Sequence, residues 1–132
     1  MDNKQVSKKL IKLLMIFVGI SGCFSVLFGA WLAHGGQALA LTAQSSLQTA
    51  QQYQLIHTLA LLASLVWVMR KSATTILLVA CISFFIGIVC FSGTIYIKIF
   101  FDFALIGKVT PLGGLSLAFA WLLLSIEGIK NL

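Results

Sequence analysis

Few side chains in this chain offer chemistry beyond packing, and those few recur at helical spacing. Tyr53 and His57 are four residues apart, as are Ser92 and Tyr96, and Gln54 stands beside the first pair. Residues four apart share one face of a helix. Each pair therefore sets a hydroxyl or an imidazole one turn from its neighbour, an arrangement suited to hydrogen bonding a carbonyl or an anionic head group. His34 and Thr110 complete the set. Two histidines are also the axial ligands that a haem between facing helices of a bundle would need.

The same inventory argues against most catalysis. Asp2, Asp102 and Glu127 are the only carboxylates and are widely spaced, so no acid–base pair is expected. No Ser–His–Asp set can be assembled. Gly107-Lys108-Val109-Thr110 looks like the tail of a phosphate loop, but it lacks both the glycine five residues earlier and the Ser or Thr after the lysine. Cys23, Cys81 and Cys90 sit singly in apolar segments, without the close spacing of metal or redox pairs, and read as small packing residues. A zinc set of His34, His57 and Asp102 competes with a Lys98–Asp102 pair at i, i+4. No catalytic residue, metal or resident cofactor is assigned, with haem and quinone the two groups the polar set could serve.

These residues must be positioned by membrane helices. Hydrophobic residues make up 60% of the 132-residue chain and charged residues 9%, against about 25% charged in soluble domains. Crossing a bilayer takes about 20 apolar residues, and four such stretches fill the chain. The sequence predicts an all-α integral membrane protein: one membrane domain over 1–132, a four-transmembrane-helix bundle with helices at about 10–33, 50–69, 73–96 and 111–130. Ile20-Ser21-Gly22-Cys23 imitates a lipoprotein cleavage box. The apolar run around it is too long for a signal sequence, so an uncleaved first helix is expected.

Helix one carries Ser21, Ser25, Gly29 and Ala33 at intervals of four, a small-residue face that lets a second helix approach closely. Gly113 and Gly114 would do the same in helix four. Helix two needs length: the apolar run before Arg70 reaches back only to Leu55 and contains His57. It should begin near Ala50, which places Gln51, Gln52, Tyr53, Gln54 and His57 within the bilayer, where polar groups must face protein or water. Residues 35–52 read as a polar loop or a partly helical interfacial segment. Ile97 to Ile106 reads as a short helix lying on the membrane. Thr110-Pro111 reads as an N-cap with proline in the first turn of helix four.

The net charge of +6 is concentrated at helix ends, with Lys4, Lys8, Lys9 and Lys12 first and Arg70-Lys71 in mid-chain. Such clusters fix orientation and meet lipid heads, and no basic face for nucleic acid is present. The bias puts both termini in the cytoplasm, short interfacial segments in the outer loops, and His34, Tyr53, Gln54, His57, Ser92, Tyr96 and Thr110 at one level in the outer leaflet. His57 is expected to face the interior and bond Tyr96, Ser92 or the backbone before Pro111.

Four segments in order carry a family resemblance: Gly29-Ala30-Trp31-Leu32-Ala33-His34-Gly35; Tyr53-Gln54-Leu55-Ile56-His57-Thr58-Leu59-Ala60-Leu61-Leu62; Phe91-Ser92-Gly93-Thr94-Ile95-Tyr96; and Thr110-Pro111-Leu112-Gly113-Gly114, with Trp121 after it. The chain resembles the YgdD/YwdK-like small membrane proteins, domain-of-unknown-function family four-two-three. It departs from the family's Gly-Ala-Phe-Gly-Ala-His pattern where Leu32 replaces the second glycine. The resemblance implies a four-helix protein of a bacterial inner membrane and brings no established activity. The polar set then has two main readings: it fixes the bundle, or it binds a lipid or quinone-like amphiphile. An accessory subunit of a larger membrane complex, a homo-oligomer, a haem-binding redox protein and a small transporter are the alternatives. Membrane lipids are the partners expected in every case.

Overall fold

The computed structural model describes residues 3–71 and 73–132, so Asp2 lies outside the described residues. The elements are α1 (Asn3–His34), a 3-10 turn (Gly35–Ala38), α2 (Leu41–Arg70), α3 (Thr75–Ile88), a π-helical turn (Val89–Gly93), α4 (Thr94–Phe100), a second 3-10 turn (Ala104–Lys108) and α5 (Thr110–Asn131). The segment from α3 through α4 is continuous, so among the described residues four helices are long and apolar enough to cross a membrane: Lys4–Ala38, Leu41–Arg70, Thr75–Phe100 and Ala104–Asn131. The fold is an all-helical four-span membrane bundle. Both termini and the Arg70–Lys71 turn lie at one end, here the terminal end; the two 3-10 turns lie at the other, the distal end.

Helix two differs from expectation. It starts at Leu41 rather than near Ala50 and runs unbroken for 30 residues, about 45 Å at 1.5 Å per residue. The stretch read as a polar loop or a partly helical interfacial segment contains neither Gly nor Pro after Leu41, so nothing interrupts the helical ladder. Tertiary contacts also hold it: Leu47 and Ala50 are fully buried. The Gln44 amide reaches back to the Gln37 and Leu39 carbonyls at 3.2 and 2.7 Å, tying the start of α2 to the preceding turn.

The connection before α5 also departs from the expected interfacial helix. Ile97 to Phe100 belong to α4, and the chain then reverses at Asp102, which adopts φ 50°. Asp tolerates this left-handed conformation better than most residues. Asp102 is past the helix end, so the expected i, i+4 relation with Lys98 does not form. Phe101, Phe103 and Leu105 are exposed around the reversal, as suits a segment at the membrane interface. Helix α5 begins at Thr110 with Pro111 next, and Val109 holds the N-cap position expected of Thr110 because its carbonyl accepts the Gly113 N–H at 3.2 Å.

The spans share burial unequally. In α2 and α3–α4, 44% of each apolar window is buried, against 22% in α1 and 17% in α5. Two central helices are thus flanked by α1, which packs chiefly on α2, and α5, which packs chiefly on α3. Lipid gives helices no hydrophobic reason to associate, so close packing and interhelical hydrogen bonds must do it. The larger apolar core joins Leu14 and Val18 of α1, Leu61 and Leu65 of α2, Phe84 and Ile88 of α3, and Leu117 of α5. A smaller one at the distal end joins Phe28, Leu32 and Leu47.

Against α5, backbone proximity decides the packing. A methyl group on Gly113 would sit 2.5 Å from the Cys90 carbonyl carbon and overlap the Phe91 nitrogen. One on Gly87 would sit 2.5 Å from Leu117 Cγ. Gly114 is different: a Cβ there would meet only the Phe91 ring, at 3.7 Å, an ordinary contact.

Candidate functional site

Gln54 is the centre of a hydrogen-bonded layer between the two apolar cores. Tyr96 Oη donates to Gln54 Oε1 at 2.7 Å, and Gln54 Nε2 donates to Ser21 Oγ at 3.0 Å and to the Ser21 carbonyl at 3.4 Å. The Ser21 carbonyl can only accept, which fixes the amide orientation and makes Tyr96 the donor on the other side. Ser21 Oγ also meets Thr58 Oγ1 at 2.8 Å. One turn nearer the distal end, Ser25 Oγ donates to the Ser21 carbonyl at 2.8 Å, and Gln51 Nε2 donates to the Ser25 carbonyl at 3.2 Å. Ser92, in the π turn, donates to the Ala50 carbonyl at 2.6 Å. The layer thus links α1, α2 and the π turn–α4 segment, and no buried side-chain polar atom among the described residues is left without a partner.

The π turn serves this arrangement. It adds a residue to the helix and presents Ser92 to α2. Thr94 Oγ1 bridges the Cys90 and Phe91 carbonyls at 2.6 and 3.0 Å and meets Thr110 Oγ1 at 2.7 Å. Because the Thr94 proton is directed to those carbonyls, the Thr110 hydroxyl is the donor between the two threonines. This fastens the start of α5 to the turn that Gly113 approaches.

The structure divides the residues singled out in the sequence. Gln54, Ser92 and Tyr96 join the layer, and so do Ser21 and Ser25, which the spacing had marked only for packing. Gly29 faces Gln51, whose Nε2 would lie 3.0 Å from a Cβ there; Ala33 is exposed. Tyr53 and His57 lie on another face of α2. The Tyr53 ring stacks on Phe91 with centroids 4.5 Å apart. His57 is buried, but it does not bond Tyr96, Ser92 or the backbone before Pro111. Its Nδ1 bonds the Tyr53 carbonyl of its own helix at 2.6 Å, and its ring packs near Phe84 and Trp121. The i−4 carbonyl is within reach without any partner helix, and Tyr96 is already engaged by Gln54. A carbonyl only accepts, so Nδ1 carries a proton. His34 is exposed at the end of α1, and no hydrogen bond or ring contact joins it to His57. Among the described residues no three His, Cys, Asp or Glu side chains gather.

Beside the layer, at the distal end, lies a cleft of about 480 Å³. Ser45, Ser46 and Thr49 of α2, Lys98 of α4 and Thr110 of α5 give it a polar rim; Phe91, Ile95, Ile99 and Pro111 give it apolar walls. The Lys98 stem lies across Gly107, where a Cβ would be 3.4 Å from Lys98 Cδ. Of these residues the sequence marked Thr110 for the polar set, Lys98 only as a partner for Asp102 and Pro111 only as a helix start. The available signals were a lone cation between apolar residues and hydroxyls four apart at Ser45 and Thr49.

Four apolar spans, two central and two flanking, with a polar layer across three of them, define a small multi-pass membrane protein. The chain belongs to the family described as Protein of unknown function (DUF423), whose model matches residues 28–114. That match includes most of the layer, the π turn and the cleft. Among curated relatives, the UPF0382 membrane protein of Haemophilus influenzae is 34% identical over 89% of this chain and 94% of its own. The UPF0382 inner membrane protein YgdD of Escherichia coli is 31% identical over 90% of this chain and 91% of its own. YwdK of Bacillus subtilis, also named a UPF0382 membrane protein, is 28% identical over 92% of this chain and all of its own. No solved structure matches.

Proposed function

We propose that this is a binding protein of the bacterial plasma membrane, not an enzyme, and that the distal cleft holds an amphiphile with an anionic or carbonyl head group. One observation carries the reading: the cleft pairs Lys98 and four hydroxyl residues at its rim with apolar walls. Sites for small molecules typically combine an apolar lining with a few polar groups that fix orientation, and a lipid or quinone has that division. The layer centred on Gln54 is the structural support. Its polar groups satisfy one another, so it holds α4 beside α2 and thereby keeps Lys98 facing Ser45 and Thr49. The basic residues, gathered at the terminal end except for Lys98 and Lys108, favour cytoplasmic termini and hence a cleft facing outward.

Mass spectrometry of molecules released from the purified protein tests the binding reading. Wild type is expected to retain an amphiphile that Lys98→Gln loses, with folding unchanged. Identical extracts from the two would contradict it. Orientation is tested with a cysteine placed at Ser45 in a background lacking Cys23, Cys81 and Cys90. An impermeant maleimide should label it in intact cells, and labelling only after lysis would reverse the topology.

A further inference from the structure

The terminal end has a cleft of its own. It measures about 640 Å³ and opens between the start of α1 and the α2–α3 turn. Lys4, Ser7 and Lys8 supply its polar side, and Ile11, Val68 and Leu78 its apolar side. Lys4 and Lys8 are one turn apart on the same face of α1, with Ser7 beside Lys8. Beginning beside Ile11 on α1 and one turn beyond Leu78 on α3, a crevice of about 400 Å³ separates the two helices, lined by residues including Leu10, Leu14, Ile82 and Phe85. Two cations, a hydroxyl and an adjoining apolar crevice are thus set in the order of an anionic phospholipid: phosphate, then acyl chain.

We propose that the terminal-end cleft seats one anionic phospholipid of the adjoining leaflet, its phosphate between Lys4 and Lys8 and an acyl chain along the α1–α3 crevice. Charge complementarity selects the head group. A free phosphate would engage the lysines but leave the half-buried Ile11 and Leu78 uncovered, whereas a lipid covers them. The site is independent of the distal cleft, since it uses neither Lys98 nor any residue of α4. It also differs from the diffuse attraction of a basic segment to a membrane. Lys9 and Lys12 belong to the same segment and are exposed, but they do not line the cleft.

Native mass spectrometry tests this on the full chain released from nanodiscs of equimolar phosphatidylglycerol and phosphatidylcholine. Wild type should retain phosphatidylglycerol preferentially. The double variant Lys4→Gln/Lys8→Gln removes both charge-assisted contacts to the phosphate and should lose that preference. The double variant Lys9→Gln/Lys12→Gln removes the same charge outside the cleft and should keep most of the preference, and Lys98→Gln should keep all of it. Ile82→Trp, which fills the crevice, should reduce retention with every lysine in place. Helix content by circular dichroism confirms that each variant is folded. Equal losses in the two double-lysine variants would overturn the site in favour of diffuse attraction. So would no preference in wild type, or displacement of the lipid by millimolar inorganic phosphate.

Discussion

The α3–α5 seam and the α1–α2 seam solve one problem by different means. On the first, glycine brings backbones together: Gly113 lies against the Cys90–Phe91 peptide and Gly87 under Leu117. Two side-chain hydrogen bonds accompany it, from Ser116 Oγ to the Ser83 carbonyl at 2.8 Å and, at the terminal end, from Thr74 Oγ1 to Glu127 Oε2 at 2.8 Å. On the second, side chains cross the gap: Gln54 to Ser21, Ser21 to Thr58 and Gln51 to Ser25. The α1 helix is also the edge along which crevices open toward α3 and α4, at Leu14 and Ile82 and again at Phe24 and Tyr96. Where the backbone approaches closely, no space is left. Where polar side chains hold two helices, the third element stands off. The crevices along α1 follow from this difference.

The comparison can be broken first at Gly113. A Leu there cannot be accommodated without separating α5 from the π turn, and overpacking of this kind costs about 3 kcal/mol or more. Gly113→Leu is expected to abolish cooperative thermal unfolding in detergent, while Gly114→Ala leaves the melting temperature within error. Equal effects would show that backbone proximity does not define this seam.

The second break is at Gln54. Gln54→Leu strands the Tyr96 hydroxyl and removes the main α1–α2 link. Interhelical hydrogen bonds in membranes average ~0.6 kcal/mol, with a maximum near 1.7, so the loss of both partners should cost about 2 kcal/mol in a detergent unfolding titration. Tyr96→Phe removes a single bond and should cost about 0.6 kcal/mol. A Gln54 variant as stable as wild type would show that α1 is held by apolar contacts alone. His57 should matter least. It bonds its own helix, so His57→Gln is expected to keep the fold and shift the melting temperature by no more than a few degrees. Loss of folding would mean that the imidazole supports the α5 side through Trp121.

These effects also show what the sequence could reveal. Spans were legible because lipid demands length and apolarity, and Gly113, read on equal terms with Gly114, as a small residue that lets a helix approach closely. Gln54, Ser92 and Tyr96 were legible as polar groups that lipid would reject. Their partners were less so: Ser21 and Ser25 are small enough to read as packing residues, yet their hydroxyls and carbonyls complete the layer. The first turns of α2 read as a loop or a partly helical interfacial segment because Gln, Ser and Thr dominate them, and the burial of Leu47 and Ala50 that makes them part of the span depends on α1 and the π turn. The π turn itself leaves no pattern in composition. The distal cleft combines Ser45, Lys98 and Thr110 from three segments, and only the fold brings them to one rim.

The most direct measurement is an experimental structure of the protein in a lipid bilayer, read at the distal cleft. An amphiphile is expected there, with its polar end within hydrogen-bonding reach of Lys98 Nζ and the Thr49 or Thr110 hydroxyl, and its apolar part against Phe91, Ile95 and Ile99. A cleft filled by its own side chains or by bulk water, in protein that kept its native lipids, would contradict the binding reading and leave the polar layer as a structural device alone.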